Sequence, residues 1–308
     1  MKTYRSLNYT SVNPTVCALG CFDGVHIGHA SIIKRAKELS NELSADCAVW
    51  SFAEPPKNFF SSEKIPLLTT AEEKRAQMRS LGVDIFVSIP FDKSIASMTA
   101  KEFFYTVLID AMKVKHVVCG FNYRFGRGGE GDPALLERLC DENGIGLSII
   151  PPVKSGDVAI SSTEIRNALT SGNVDDATVY LGRPYSLSAK IIDGQHLGRT
   201  LGFPTVNQSF PEGKLVPRNG VYVSRVAFEG RIKYGITNIG VRPTVDGKSL
   251  CAETNLFDFE GDLYGKTLNV EFLTFLRPEQ KFGSVEKLAE QVGKDILLAK
   301  DFIKKHAI

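Results

Sequence analysis

The chain has 308 residues, 43% of them apolar and 23% charged, a balance that excludes a disordered chain, a collagen-like fibre and a coiled coil. At ~150 residues per domain the length points to two domains. Net charge is +2, with 20 basic and 21 acidic side chains in residues 1–183 and 17 and 14 in residues 184–308, so neither half carries the basic footprint that nucleic acid requires.

Other gross features narrow the class further. No stretch of roughly twenty apolar residues occurs, so no membrane helix is expected and a pump or channel is excluded. The opening residues, MKTYRSLNYTSVNP, lack the apolar core of a secretory signal. Cysteines stand at 17, 21, 47, 119, 140 and 251 without a C-x-x-C pair, which argues against structural zinc. Several lie in apolar runs, where buried thiols and a reducing compartment are expected. The expectation is a cytoplasmic protein.

In chain order, residues 15–22 read as a buried strand bounded by Pro14 and Asp23-Gly24. Ile32, Ile33, Ala36, Leu39 and Leu43 then share a helical face. A second strand over 46–52 completes a βαβ unit. Thr70 with Glu73, and Thr99 with Glu102, have capping-box spacing ahead of helical patterns. Strands over 84–89, 116–121 and 146–150 and a helix over about 133–142 continue an alternation that predicts a doubly wound parallel sheet. Beyond Pro184 the pattern changes. Residues 185–193, 220–228, 231–239, 250–259 and 264–276 read as strands separated by Gly, Asn, Asp and Pro, which suggests an antiparallel barrel. Val285, Leu288, Ala289, Val292, Ile296, Ala299 and Ile303 form the stripe of a terminal helix. The domain boundary is therefore expected at Arg183-Pro184, giving domains 1–183 and 184–308.

The strongest motif is Gly20-Cys21-Phe22-Asp23-Gly24-Val25-His26-Ile27-Gly28-His29. A strand ends, a glycine-bearing turn follows, and a helix is expected to begin at the second histidine. Open α/β sheets bind ligands at the carboxyl ends of their strands, and a helix N-terminus suits phosphate. Two imidazoles around a glycine can donate to phosphoryl oxygens while the backbone approaches closely. The bland alternative is a turn with two solvated histidines. In the second half, Gly194, Gly198 and Gly202 punctuate a loop that ends in Pro204-Thr205-Val206-Asn207. Its backbone N–H groups suit phosphates, and the Thr205 hydroxyl and Asn207 carbonyl are hard oxygen donors suited to Mg²⁺. Three spaced glycines in a β protein can equally make turns alone.

H-x-G-H at the end of the first strand resembles the nucleotidylyltransferase superfamily, and the longer string is similar to the adenylyltransferase half of the bacterial bifunctional riboflavin kinase/FAD synthetase family. Gly120-Phe121-Asn122-Tyr123-Arg124-Phe125-Gly126 with Gly131-Asp132 resembles that family's flavin- and ATP-proximal loop. Ile160-Ser161-Ser162-Thr163-Glu164-Ile165-Arg166 resembles its second ATP motif, although alone it reads as a capping box opening a helix. Ser51-Phe52-Ala53-Glu54-Pro55-Pro56 departs from the family, with Pro55 where a histidine is usual. The Thr205–Asn207 turn resembles the family's kinase motif with Val206 in place of alanine. Ala252 to Phe259 and Asp262 to Lys266 match the kinase half again, and Arg277 and Phe282 fit its pattern.

The resemblance covers about residues 14–303. It implies a Rossmann-like nucleotidylyltransferase domain, with a parallel sheet and helices on both faces, followed by a six-stranded antiparallel riboflavin-kinase β-barrel with a terminal helix. It further implies phosphorylation of riboflavin to FMN by Mg·ATP and adenylylation of FMN to FAD with release of pyrophosphate. Glu253 would be the base and Thr205 and Asn207 would hold Mg²⁺, with Gly194, Gly198 and Gly202 around the kinase nucleotide. Gly24, His26, Gly28, His29, Asn122, Ser162, Thr163 and Arg166 would bind the adenylyltransferase ATP, with His26 and His29 acting in transfer. ATP, riboflavin and FMN would be the small-molecule partners, with no nucleic acid and no membrane, and the resemblance leaves the oligomeric state open. Pro55 leaves open a kinase whose first domain binds nucleotide without transferring it, and a flavin-binding regulatory protein remains the non-enzyme alternative.

Overall fold

Near-continuous apolar runs form strands that must be covered on both faces, because a parallel sheet leaves no face for water. In the computed structural model, which describes residues 1–192, 205–244, 247–259, 261 and 263–306, the first half builds such a sheet. Its strands are β1 (Lys2–Tyr4), β2 (Thr15–Leu19), β3 (Asp46–Phe52), β4 (Ile85–Ile89), β5 (Val114–Gly120) and β6 (Gly146–Ile150), in spatial order β1-β4-β3-β2-β5-β6. All neighbours pair in parallel. The helices are α1 (Ile27–Glu42), short α2 (Lys57–Phe60), α3 (Ala71–Ser80), α4 (Lys93–Ser97), α5 (Ala100–Glu102) and α6 (Pro133–Glu142). Val16, Ala18, Val49 and Phe86 meet Ile33 and Ala36 of α1 and Met78 of α3 on one face. Leu19, Trp50, Val87 and Ile89 meet Phe103, Phe104, Leu136 and Leu139 on the other. Period-two alternation thus serves two cores at once.

Both expected capping boxes form, Thr70 with Glu73 and Thr99 with Glu102. Three features differ from the sequence reading. Strand β1 adds an edge through parallel pairing with β4. The helix after Thr99 passes at Phe103 into a π-helical segment, Phe103–Ala111. Helix α1 begins at Ile27, before the second histidine, and His26 is its N-cap residue.

The chain divides into two compact units, Met1–Ser162 and Thr163–Ile308. A small hairpin, β7 (Lys154–Ser155) with β8 (Val158–Ala159), closes the first. The division falls earlier than Arg183-Pro184 because α7 (Ser162–Ser171) and α8 (Val174–Leu181) group with the strands that follow, α8 packing on β14 and β9. The second unit is a closed antiparallel barrel of β9 (Tyr185–Ile192), β10 (Thr205–Ser209), β11 (Gly220–Phe228), β12 (Arg231–Thr244), β13 (Gly247–Leu256) and β14 (Thr267–Pro278), in order β10-β13-β12-β11-β14-β9. Helix α9 (Val285–His306) follows. Tyr222, Phe272, Leu187 and Val226 fill the interior around a hydroxyl chain from Ser224 to Thr237 (2.7 Å) to Thr254 (2.8 Å). On the outer face, Val221, Val223 and Ile236 pack against Val292, Ile296 and Ala299 of α9. Thr205, Val206 and Asn207, read as part of a turn, lie in strand β10 instead, since both edges of 207–208 are paired, with β13 and with β9, and Pro204 lies outside the described residues.

Candidate active sites

The sheet order reverses at β2, where the chain moves to β3 on one side and later returns to β5 on the other. Loops leaving β2 and β5 therefore diverge and open a crevice at the carboxyl edge. A cavity of about 320 Å³ lies there, lined by Gly20, Cys21 and Phe22 after β2, by Gly120 at the end of β5 and by Asn122, Tyr123 and Arg124 beyond it. Its neighbour, about 520 Å³, is walled by aromatic rings that include Trp50, Phe52, Phe91, Phe103, Tyr123 and Phe125. Trp50, Phe52, Pro56, Tyr123 and Arg124 line both cavities, so a compartment that carries His29, Asn122 and Arg124 adjoins a more aromatic one.

The turn between β2 and α1 holds an unusual backbone. Phe22 (φ 52°) and Val25 (φ 43°) sit in the left-handed region, a cost that the surroundings must hold in place. Asp23 is buried and accepts from the backbone N–H groups of Leu68 and Thr69. The Gly24 N–H donates to the Thr69 hydroxyl, and the Ser162 hydroxyl donates to the Asp23 carbonyl at 2.9 Å.

The two motif histidines take different positions. His26, buried, caps α1 by accepting the His29 backbone N–H at Nδ1 (3.3 Å). An accepting Nδ1 leaves the proton of a neutral imidazole on Nε2. Its ring stacks on that of His29, centroids 3.6 Å apart, and a side chain on Gly28 would press the His26 ring at 3.2 Å. His29 itself lines the crevice, and its Nδ1 has no hydrogen-bond partner among the described residues. Burial, then the neighbouring His26 and Lys74, hold the His29 ring neutral well below the usual imidazole range. A neutral ring can still donate one N–H to a phosphate oxygen. Thr163 is exposed and Arg166 half-buried on α7, in the second unit. Pro56 is the proline of the Pro55-Pro56 pair that lines the cavities.

In the barrel, register decides which side chains meet. Asn207 of β10 lies opposite Glu253 of β13, which lies opposite Asn238 of β12. That row continues to Val221 of β11 and Arg277 of β14. The adjacent row on the same face holds Thr205, Asn255 and Ile236. A cavity of about 330 Å³ covers this face beneath α9, lined by Thr205, Asn238, Glu253, Asn255, Arg277 and Phe282 among others. The Arg277 guanidinium grips the buried Asp295 carboxylate of α9 with three hydrogen bonds of 2.7–3.0 Å and lies over the Phe282 ring. The structure thus brings Thr205, Asn207 and Glu253 together. Gly194, Gly198, Gly202 and Asp262 lie outside the described residues.

Sequence reasoning missed several residues of these sites. Asp295, which anchors α9, looks in the sequence like any polar residue of an amphipathic helix. Lys74, buried behind the crevice, looks like a surface lysine. The aromatic wall had one legible signal, the single tryptophan of the chain at the carboxyl end of β3.

A parallel sheet with H-x-G-H at its switch point and a barrel with a carboxylate beside Thr and Asn oxygens define a two-domain nucleotide-dependent transferase. The FAD synthetase family matches residues 9–164 and the riboflavin kinase family residues 181–303. Bifunctional riboflavin kinase/FMN adenylyltransferase of Bacillus subtilis is 35% identical over 91% of this chain and 90% of its own. The protein of that name from Escherichia coli K12 is 35% identical over 98% of each chain. A crystal structure titled as a macrolide-efflux protein from Streptococcus pneumoniae superposes with a TM-score of 0.89 at 31% identity, over 97% of this chain and 99% of that one. No helix among the described residues is long and apolar enough to cross a membrane. The chain belongs to the bifunctional riboflavin kinase/FMN adenylyltransferase family.

Proposed function

We infer that the chain phosphorylates riboflavin to FMN and then adenylylates FMN to FAD, each step using ATP. The observation that carries this reading is the presence of both family domains, in order, on one chain. The functional division is assigned to Arg183-Pro184, a reading supported by the start of the riboflavin kinase match at 181, although α7 and α8 group with the barrel.

In the barrel, the Glu253 carboxylate is assigned as the base. It takes the proton of the ribityl 5′-hydroxyl as that oxygen attacks the γ-phosphorus and ADP departs. Glu253 lines the cavity with Thr205, Asn238 and Asn255, so the alcohol can be held and turned by neutral polar groups beside the carboxylate. Thr205 and Asn207 lie on the same face as hard oxygen donors and would hold Mg²⁺, which supplies charge neutralisation on the phosphates. The apolar side of the cavity, with Val221, Ile236 and Phe282, suits a flavin ring.

In the sheet domain, the aromatic cavity takes the isoalloxazine ring of FMN and the polar crevice takes the triphosphate. An FMN phosphate oxygen attacks the α-phosphorus in line, the bond to the β-phosphate oxygen breaks, and pyrophosphate leaves. His29 and Asn122 line the crevice and are assigned to the phosphates. His26 orders His29 and caps α1, while Gly24 and Gly28 let the turn close tightly. Ser162 ties the start of α7 to the turn, and Thr163 and Arg166 are assigned to ATP from their motif. The work is positioning and charge stabilisation, with no covalent intermediate.

The test is to incubate the full chain with riboflavin and Mg·ATP and to chromatograph flavins over time. FMN followed by FAD is expected. FMN alone would reduce the sheet domain to nucleotide binding, unchanged riboflavin would refute the kinase activity, and FMN supplied directly and left unconverted would refute the adenylyl step.

A further inference from the structure

Strands β2 and β3 run in register to the pair Leu19 and Trp50. Beyond it they part, and the Cys21 and Phe52 carbonyls leave the ladder. Both residues line the polar crevice, so the parting of the strands is what opens it. Carbonyls at diverging strand ends need donors if they are out of water. The Ser51 hydroxyl, with one proton to give, lies 2.9 Å from the Cys21 carbonyl and 3.3 Å from the Phe52 carbonyl, so it serves the two carbonyls only in part. The remaining donor is Lys74 of α3, 3% exposed, whose ammonium reaches the Cys21 carbonyl at 3.0 Å and the Phe52 carbonyl at 3.0 Å.

A buried ammonium is an expensive way to satisfy two carbonyls, because desolvating a charge costs far more than desolvating a neutral amide. Burial pushes the lysine down from its ordinary range, countered by Cys21 and Asp23. The charge is also close enough to His29 to oppose protonation of that ring. A fixed positive charge in a site of low dielectric acts on charge that develops during a reaction without reorganising.

We propose that Lys74 is a positioning residue of adenylyl transfer, locking the parted ends of β2 and β3 open and setting a fixed positive charge behind the His29 crevice. The proposal rests on the crevice being the adenylyl-transfer site. There, negative charge builds on the bridging oxygen of the departing pyrophosphate, and the buried ammonium favours that charge over the ground state.

The test compares Lys74→Met, Lys74→Gln and Lys74→Arg in the full chain, measuring kcat and KM for FMN-to-FAD conversion, riboflavin phosphorylation and the thermal midpoint. Removing one donor aimed directly at a developing charge typically costs 10²–10³ in rate, so a charge acting from behind is expected to cost about 30-fold in kcat. Lys74→Met is expected to show that loss with KM for FMN and for ATP within about threefold of wild type. Riboflavin phosphorylation and thermal midpoint should hold, since loss of a buried charge offsets the lost hydrogen bonds. An unchanged adenylyl kcat, or a KM effect alone, overturns the proposal. If Lys74→Met does not fold, Lys74→Arg must outperform Lys74→Gln in adenylyl kcat at matched thermal midpoints, and equal rates overturn the proposal. A wild-type chain that makes no FAD from supplied FMN overturns the reading of the crevice, and the proposal with it.

Discussion

The Arg277–Asp295 pair ties helix α9 to the barrel over the cavity that holds Glu253, and its two ends are unequally buried. Asp295 is 1% exposed and Arg277 19%. Replacing Arg277 by Ala removes three hydrogen bonds and leaves a buried carboxylate with the Gln291 amide, at 2.9 Å, as a side-chain donor. Stranding a buried charge costs 3–5 kcal/mol, and the Gln291 donor keeps this case near the lower end, about 3 kcal/mol. Replacing Asp295 by Ala strands an arginine that keeps the Pro278 carbonyl at 3.1 Å, the Phe282 ring and access to water. Its cost is set at about 1.5 kcal/mol. For a unit of this size, at about 3 °C per kcal/mol, the barrel transition should fall by roughly 9 °C for Arg277→Ala and roughly 4 °C for Asp295→Ala. The double variant Arg277→Met, Asp295→Leu should recover most of the loss, since apolar groups of similar volume leave no charge behind. Differential scanning calorimetry reads the transition, and riboflavin KM reports the cavity, which should weaken in all three variants. Equal losses in the single variants, or a double variant no more stable than Arg277→Ala, would refute the reasoning.

Further outcomes follow from the two-site division and from local geometry. Glu253→Gln should abolish FMN formation and leave conversion of supplied FMN to FAD intact, so unimpaired phosphorylation would sink the base assignment. His29→Ala should stop FAD formation and spare the kinase, and a joint fall of both activities with unchanged folding would contradict two separate sites. In a proton NMR titration the His29 ring should stay neutral as pH falls through the usual imidazole value of about 6.5. Because the unfolded chain does bind that proton, stability should decline below that pH, and a His29 inflection near 6.5 would contradict its burial. Gly126 has φ 75° and ψ 179°, and a Cβ there would stand 2.5 Å from the Ala100 backbone nitrogen. Gly126→Ala should therefore displace the loop after β5 and raise the KM for FMN at least tenfold, while the kinase step is untouched; an unchanged KM would show that the loop does not shape the aromatic cavity.

Local pattern made much of this molecule legible. The apolar runs over 46–52 and 146–150, the helix over 133–142 and the two Thr–Glu capping boxes are decided by neighbours in the chain, and each forms as expected. The H-x-G-H turn and the Thr–x–Asn segment could be tied to phosphate chemistry because glycines, imidazoles and hard oxygens are informative as residue types. Where α1 begins was not legible, since it depends on His26 accepting a backbone N–H. Strand β10 was hidden because a five-residue segment after a proline takes its partners from β9 and β13, both distant in sequence.

The sequence by itself determined two domains, their layer types, and most of the residues with the right chemistry, because composition and periodicity are local properties of a chain. Tertiary structure alone decided which of those residues meet. Register across three strands sets Glu253 between Asn207 and Asn238, and strand order places the crevice where β2 and β5 part company. It also decided that His29 faces the crevice while His26 stands behind it, and that Lys74 and Asp295, ordinary polar residues of amphipathic helices, are buried charges. Burial depends on what packs against a side chain from elsewhere in the chain, and that physical fact has no local signature.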